Sequence, residues 1–299
     1  MNDTIGIVGL GLIGGSLAKA IVNNTGCRVL GCDIKESVVC AALEDGVIAG
    51  RLDRGSIADC SIIIIALYPE DVIEYCKDNM AAMNEGTIVV DCAGVKTRIV
   101  KEVSALAKNC GVRFVGGHPM AGIERSGYES SFAGLFDGAT MILCKDEILC
   151  DEDVLSKEDN IRNDALEILK DLFLSIGFGR VKITTAREHD EIIAYTSQLA
   201  HLVSSAYIKS DTMKKRYGFS AGSFKDLTRV ARLDEEMWTE LFFENSQNLL
   251  KEIDVLTENI RKYRDALASS DEGAMKDLLI KGKELKSIYD KMEQEWMEG

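Results

Sequence analysis

Ile5-Gly6-Ile7-Val8 runs directly into Gly9-Leu10-Gly11-Leu12-Ile13-Gly14, and an amphipathic stretch from about Leu12 to Asn23 follows. An apolar run that breaks into G-x-G-x-x-G and then into helical periodicity constrains the chain to one unit, a strand, a tight turn and a helix. The first glycine permits the turn, the second lets a pyrophosphate approach the backbone, and the third lets helix and strand pack closely. Unpaired N–H groups and the dipole at the helix start favour an anion there. Asp33 ends the second apolar run, Arg28-Val29-Leu30-Gly31-Cys32-Asp33, about 20 residues beyond Gly14. A carboxylate in that place accepts from a ribose 2′-OH and repels a 2′-phosphate. That favours NAD over NADP, with Lys35 nearby acting in the opposite sense. The alternative is a glycine turn that binds no nucleotide.

The alternation continues. Ser61 to Leu67 is a β-branched run unbroken by charge, as in a strand covered on both faces. Pro69 stands where a helix starts, because its missing N–H is not needed there. Thr87 to Asp91 and Arg113 to Val115 read as further strands, with a helix over 98–109 between them. This order predicts a parallel, doubly wound sheet of Rossmann type. Lys145 to Asn160 is acidic and aperiodic and reads as a surface excursion. A helix over 165–176 and a strand over 180–183 then rejoin the sheet. From Arg187 onward there is no proline, and apolar residues recur at three- and four-residue spacing. The expected fold class is therefore α/β, with a Rossmann-type domain over 1–185 and an all-α domain over 186–299. Helices this rich in apolar positions predict a homodimer formed through the second domain.

With 35 basic and 49 acidic residues, the chain carries a formal charge of −14. That argues against nucleic acid and anionic membranes as partners, and an anionic substrate must be captured by local Arg or Lys. The longest apolar run, Ile62 to Leu67, is too short to span a bilayer. Nine cysteines form no C-x-x-C pair, and with three histidines in the chain no metal site is expected. Met1-Asn2-Asp3-Thr4 has no basic leader character, so reduced thiols and a cytoplasmic location are expected.

His118, in His118-Pro119-Met120-Ala121-Gly122, follows the apolar run 112–115. At a strand end beside a nicotinamide, an imidazole is suited to polarise a hydroxyl as a hydride leaves. It can equally cap the strand through a backbone hydrogen bond. Asp226 and Arg229 are three apart in a helical segment, placed for a surface ion pair or for capture of a substrate carboxylate by the arginine. His189 and His201 are twelve apart, about 120° around a straight helix. Such a helix would not aim both at one small site, and a structural role is the expectation for His189.

Together the motifs resemble the prephenate dehydrogenase family of tyrosine biosynthesis over most of the chain. They are Gly9-x-Gly11-x-x-Gly14-Gly15-Ser16, Asp91-Cys92-Ala93-Gly94-Val95-Lys96, His118-Pro119-Met120-Ala121-Gly122-Ile123-Glu124, Glu188-His189-Asp190, Thr196-Ser197-Gln198-Leu199-Ala200-His201 and Phe224-Lys225-Asp226-Leu227-Thr228-Arg229-Val230-Ala231, with Trp238 beyond. The resemblance implies NAD-dependent oxidative decarboxylation of prephenate to 4-hydroxyphenylpyruvate, with His118 polarising the C4 hydroxyl. It implies Arg229 on a substrate carboxylate, with His201, Glu124, Asp226, Trp238 and Gln198 in or beside that pocket. Gly9, Gly11, Leu12, Ile13, Gly14, Asp33 and Lys96 fall to the cofactor.

Three positions depart from the family pattern. Gly94 stands where a serine often orients the histidine, leaving that task to another donor, through Lys96 or Thr97, or to a water. Gln198 replaces a frequent histidine, and Ile123 a frequent threonine. Arogenate carries an ammonium where prephenate has a ketone, and Glu124 would favour that cation, so arogenate dehydrogenation is the alternative. A hydroxy-acid dehydrogenase would need a catalytic lysine on the helical domain, and no lysine stands in a comparable motif. A redox sensor that binds NAD without turnover is the non-enzymatic reading. The helical end of the chain, past Trp296, predicts no appended β-rich regulatory domain.

Overall fold

Four consecutive isoleucines, Ile62–Ile65, all buried, make the centre of an eight-stranded sheet. In chain order the strands are β1 (Thr4–Val8), β2 (Arg28–Cys32), β3 (Gly50–Arg51), β4 (Ile62–Ile65), β5 (Ile88–Asp91), β6 (Arg113–Pro119), β7 (Thr140–Lys145) and β8 (Arg180–Thr185). Their spatial order is β3-β2-β1-β4-β5-β6-β7-β8. The computed structural model describes residues 3–145 and 157–298, so the expected acidic excursion at 145–160 lies largely outside the described residues.

Pairing is parallel from β3 through to β6, as the strand–helix alternation predicts. It departs at β7, which runs antiparallel to β6, with β8 then parallel to β7. Between Pro119 and Thr140 the chain makes only two short 3₁₀ turns, Tyr128–Ser130 and Ala133–Phe136. With no crossover helix there, the next strand returns in the opposite direction. Strand β7 is not marked in the sequence, because its run Met141-Ile142-Leu143-Cys144 is short and lacks alternation. This pairing also lengthens β6, so that His118 lies inside the strand, opposite Ile142.

Helices α1 (Leu12–Asn24), α2 (Glu36–Glu44), α3 (Pro69–Asn79), α4 (Thr97–Cys110) and α5 (Lys157–Ser175) cover the sheet. Pro69 opens α3 as expected. One apolar layer joins Leu17, Ile21, Ile64, Val90 and Phe173, and the other joins Ile63, Ile65, Val72, Ile73, Val89 and Val103. Each such side chain contributes about 1.5–3 kcal/mol by leaving water.

After β8 come α6 (Ala186–Ile193), a π-helical turn (Ala194–Leu199), α7 (Ala200–Tyr207), α8 (Gly222–Thr228) and α9 (Glu235–Glu244). By packing, the chain divides into compact units at Met1–Ser246 and Gln247–Gly299. Polar links tie the intervening helices to the sheet unit. The Glu240 carboxylate accepts from the Glu70 N–H at the start of α3, and Arg98 of α4 pairs with Glu244. The second unit holds all but the first residue of α10 (Ser246–Ala268) and the described α11 (Glu272–Glu298). Its exposed apolar residues include Ile260, Leu267, Leu279, Ile280, Ile288 and Tyr289. No described helix is long and apolar enough to cross a membrane.

Candidate active site

Strand β1 ends in a turn that only glycine allows. Gly9 has φ of +82°, and a Cβ there would stand 2.5 Å from the Ala66 carbonyl oxygen. A Cβ on Gly14 would stand 1.8 Å from the Gly9 carbonyl oxygen, which no repacking of side chains relieves. At Gly11, by contrast, an added Cβ would meet nothing within 4 Å, and no side chain caps the helix start. The turn therefore presents open backbone N–H groups at the positive end of α1, with Leu12 and Ile13 half-buried on the first turn. The Asp33 carboxylate accepts from the N–H groups of Leu10 and Lys35, both at 2.9 Å, which holds it beside the turn. The turn sits where the sheet order reverses, between β1 and β4. That crevice at the carboxyl ends of parallel strands suits a dinucleotide, and these residues fit one.

His118 stands at the carboxyl end of β6 on the same edge. Its Nδ1 lies 2.9 Å from His189 Nε2 on α6, and His189 Nδ1 lies 2.8 Å from Asp190 Oδ1. The Asp190 carboxylate also accepts from the N–H groups of Lys96 and Thr97, each at 2.8 Å, at the start of α4. Burial, then the neighbouring His189 and the Lys96 ammonium, hold His118 well below its ordinary pKa, so the imidazole is neutral. Burial also lowers His189, against the pull of Asp190. Burial alone would raise the Asp190 carboxyl, but the hydrogen bonds from His189 and Thr97 outweigh it and keep the group ionised.

Two expected site residues turn out to lie behind the site. Lys96 is fully buried and paired with Asp91. Asp91 in turn accepts from the N–H groups of Ala93 and Gly117. An enclosed ammonium has no surface to offer a cofactor, so Lys96 acts on the histidines through its charge and its backbone. Gln198 is also buried. Its amide donates to the Leu241 carbonyl at 2.8 Å and accepts from Asn245 at 2.9 Å, so it joins α9 to the π-helical turn. The hydrogen-bonding capacity expected to meet substrate is used there instead.

The remaining predicted residues lie nearer solvent, in two separate pairs and an exposed aspartate. His201 stacks on Trp238 with ring centroids 4.1 Å apart, and its Nδ1–H donates to the Ser197 carbonyl at 2.8 Å. Arg229, at the end of α8, stands 3.5 Å from Glu124 in the loop after β6. Asp226 is exposed on α8. The expectation that His189 is merely structural needs correction, because it touches His118. The error lay in assuming a straight helix. The π turn takes up one extra residue without its rotation, so that twelve residues turn like about eleven and the ~120° between His189 and His201 falls to about 20°.

An open glycine turn and a neutral, half-buried histidine on one edge of a doubly wound sheet define a nucleotide-dependent dehydrogenase. The comparisons narrow the class. The family profile "Prephenate dehydrogenase, nucleotide-binding domain" matches residues 17–178, and "Prephenate dehydrogenase, dimerization domain" matches residues 185–281. Prephenate dehydrogenase of Bacillus subtilis (strain 168) is 30% identical over 282 residues, 91% of this chain and 72% of the relative. Cyclohexadienyl dehydrogenase of Zymomonas mobilis is 29% identical over 282 residues, 89% of each. The structure of A. aeolicus prephenate dehydrogenase, in complex with hydroxyphenyl propionate and NAD+, superposes with a TM-score of 0.80. It is 26% identical and covers 97% of this chain and 98% of that one. The chain belongs to the prephenate dehydrogenase family.

Proposed function

We propose that this chain catalyses NAD-dependent oxidative decarboxylation of prephenate to 4-hydroxyphenylpyruvate in tyrosine biosynthesis. The observation that carries this reading is His118, held neutral beside the nucleotide-binding edge with one ring nitrogen committed to His189. NAD, when bound on the Gly9–Gly14 turn, supplies the two-electron acceptor for the hydrogen leaving C4. The other His118 nitrogen accepts a hydrogen bond from the C4 hydroxyl, which draws electron density toward the breaking C4–H bond. As the ring carboxylate departs as carbon dioxide, its bonding pair aromatises the ring and the oxygen remains as the phenol. Aromatisation drives the step, so the protein's task is to orient the substrate and hold its carboxylates. Arg229 takes one of them, while His201 and Trp238 wall the ring.

Asp33 supports NAD over NADP by meeting the ribose hydroxyl. Glu124, beside Arg229, favours a second reading in which arogenate, with its ammonium, is also a substrate. The cyclohexadienyl dehydrogenase relative is consistent with that breadth. The uncovered apolar residues of α10 and α11 support a homodimer formed through the helical part of the chain. The eight cysteines among the described residues are all free thiols, which supports a cytoplasmic site of action. The test is an absorbance assay of reduced nicotinamide with prephenate and arogenate, each offered with NAD and with NADP. Rapid turnover of prephenate with NAD is expected. Absence of turnover on either substrate would reject the enzyme assignment.

A further inference from the structure

Gly94, in the turn between β5 and α4, has no side chain with which to meet His118. Leu241 crowds the space beside it, so that a Cβ on Gly94 would stand 3.2 Å from Leu241 Cδ2. Another group must fix the ring. We infer that His189, oriented by Asp190, is the positioning residue for His118 and sets its tautomer, leaving Nδ1 protonated and Nε2 as the lone pair that meets the substrate hydroxyl.

The direction of each hydrogen bond follows from the one before it. Asp190 receives two backbone N–H groups from the first residues of α4, one on each carboxylate oxygen. Those donors cannot be reversed, and they suit an ionised carboxylate that only accepts. The atom 2.8 Å from Asp190 Oδ1, His189 Nδ1, must therefore carry a hydrogen. A neutral imidazole has one, so His189 Nε2 is a lone pair. The 2.9 Å contact between His189 Nε2 and His118 Nδ1 then needs its hydrogen from His118. His118 Nε2 is left unprotonated and acts as an acceptor. The opposite tautomer would require a protonated Asp190, two lone pairs pointed at each other, or a charged His189, which its burial disfavours.

The support is built around this line. The Asp190 carbonyl accepts from Asn245 at 2.8 Å, and the same amide meets Gln198. The Lys96 ammonium, paired with Asp91 nearby, opposes protonation of both rings. A third histidine, His201, bonds elsewhere. In its kinetic consequence the inference rests on the reaction proposed above, whereas the tautomer rests on the hydrogen-bond geometry and on a neutral His189.

Long-range ¹⁵N NMR of the labelled holoenzyme tests the tautomer directly, because only three histidines contribute. His118 is expected to show a protonated Nδ1 and an unprotonated Nε2. Protonation at Nε2 instead would overturn the inference. In parallel, His189→Leu is expected to lower kcat by roughly tenfold to a hundredfold with KM for prephenate little changed. His189→Gln places an acceptor oxygen near the lost Nε2 and is expected to restore most of the rate. Full kcat in His189→Leu, or a glutamine variant no better than the leucine one, would also overturn it. Should the leucine variant fail to fold, the wild-type spectrum decides. If the wild type turns over neither substrate, the proposed reaction fails while the spectrum still tests the tautomer.

Discussion

The Arg229 guanidinium stands 3.5 Å from the Glu124 carboxylate, with side chains 68% and 60% exposed. An ion pair so open to water is worth about 0–1 kcal/mol, too little to hold the arginine against a competing anion. A substrate carboxylate that replaces Glu124 gains a charged hydrogen bond worth about 1.5–3 kcal/mol. Arg229→Ala is therefore expected to raise KM for prephenate more than roughly tenfold, checked by steady-state kinetics.

Glu124→Gln removes the competitor for Arg229 and the only charge in that pair that would attract an ammonium. The ratio of kcat/KM for arogenate to that for prephenate is expected to fall. A ratio unchanged in the variant would mean that Glu124 takes no part in choosing the substrate.

His118 and His189 are both held below the ordinary histidine value of 6.5 in the folded protein. Below that pH the unfolded chain binds protons that the folded chain refuses, so unfolding becomes more favourable as pH falls. Thermal denaturation midpoints are expected to be flat above about pH 7 and to drop as pH falls below 6.5 toward the folded-state values. Replacing His189 by Leu should shallow that drop. The acid limb of kcat/KM should likewise lie well below 6.5, because His118 must be neutral to accept from the substrate.

Gly14→Ala would drive a methyl group to 1.8 Å from the Gly9 carbonyl oxygen, backbone against backbone. The turn must open to relieve it. Calorimetric titration is expected to show NAD affinity lost, with a lowered melting midpoint as the strand and helix separate.

Much of this was legible in the sequence because local signals agreed with the final packing. The glycine turn, Asp33 and the isoleucine strand Ile62–Ile65 each carry their own reason for being where they are, and the parallel order through β6 followed from them. The antiparallel β7 escaped because Met141-Ile142-Leu143-Cys144 has no periodicity, and its pairing is set by the loop before it. His189 was misjudged for a different reason. Its importance depends on a contact with a strand residue 71 positions earlier, which leaves no mark in the spacing of the histidines. The motifs that contain Lys96 and Gln198 point both toward ligands. Burial, which a single sequence does not display, turned both toward the protein interior.

His118 is the group proposed to polarise the substrate hydroxyl, and the whole reaction depends on it. The measurement is kcat for His118→Asn against the wild type, with prephenate and NAD at saturation. The prediction is a fall of about 10²–10⁴-fold with the substrate still bound. A kcat equal to that of the wild type would contradict it.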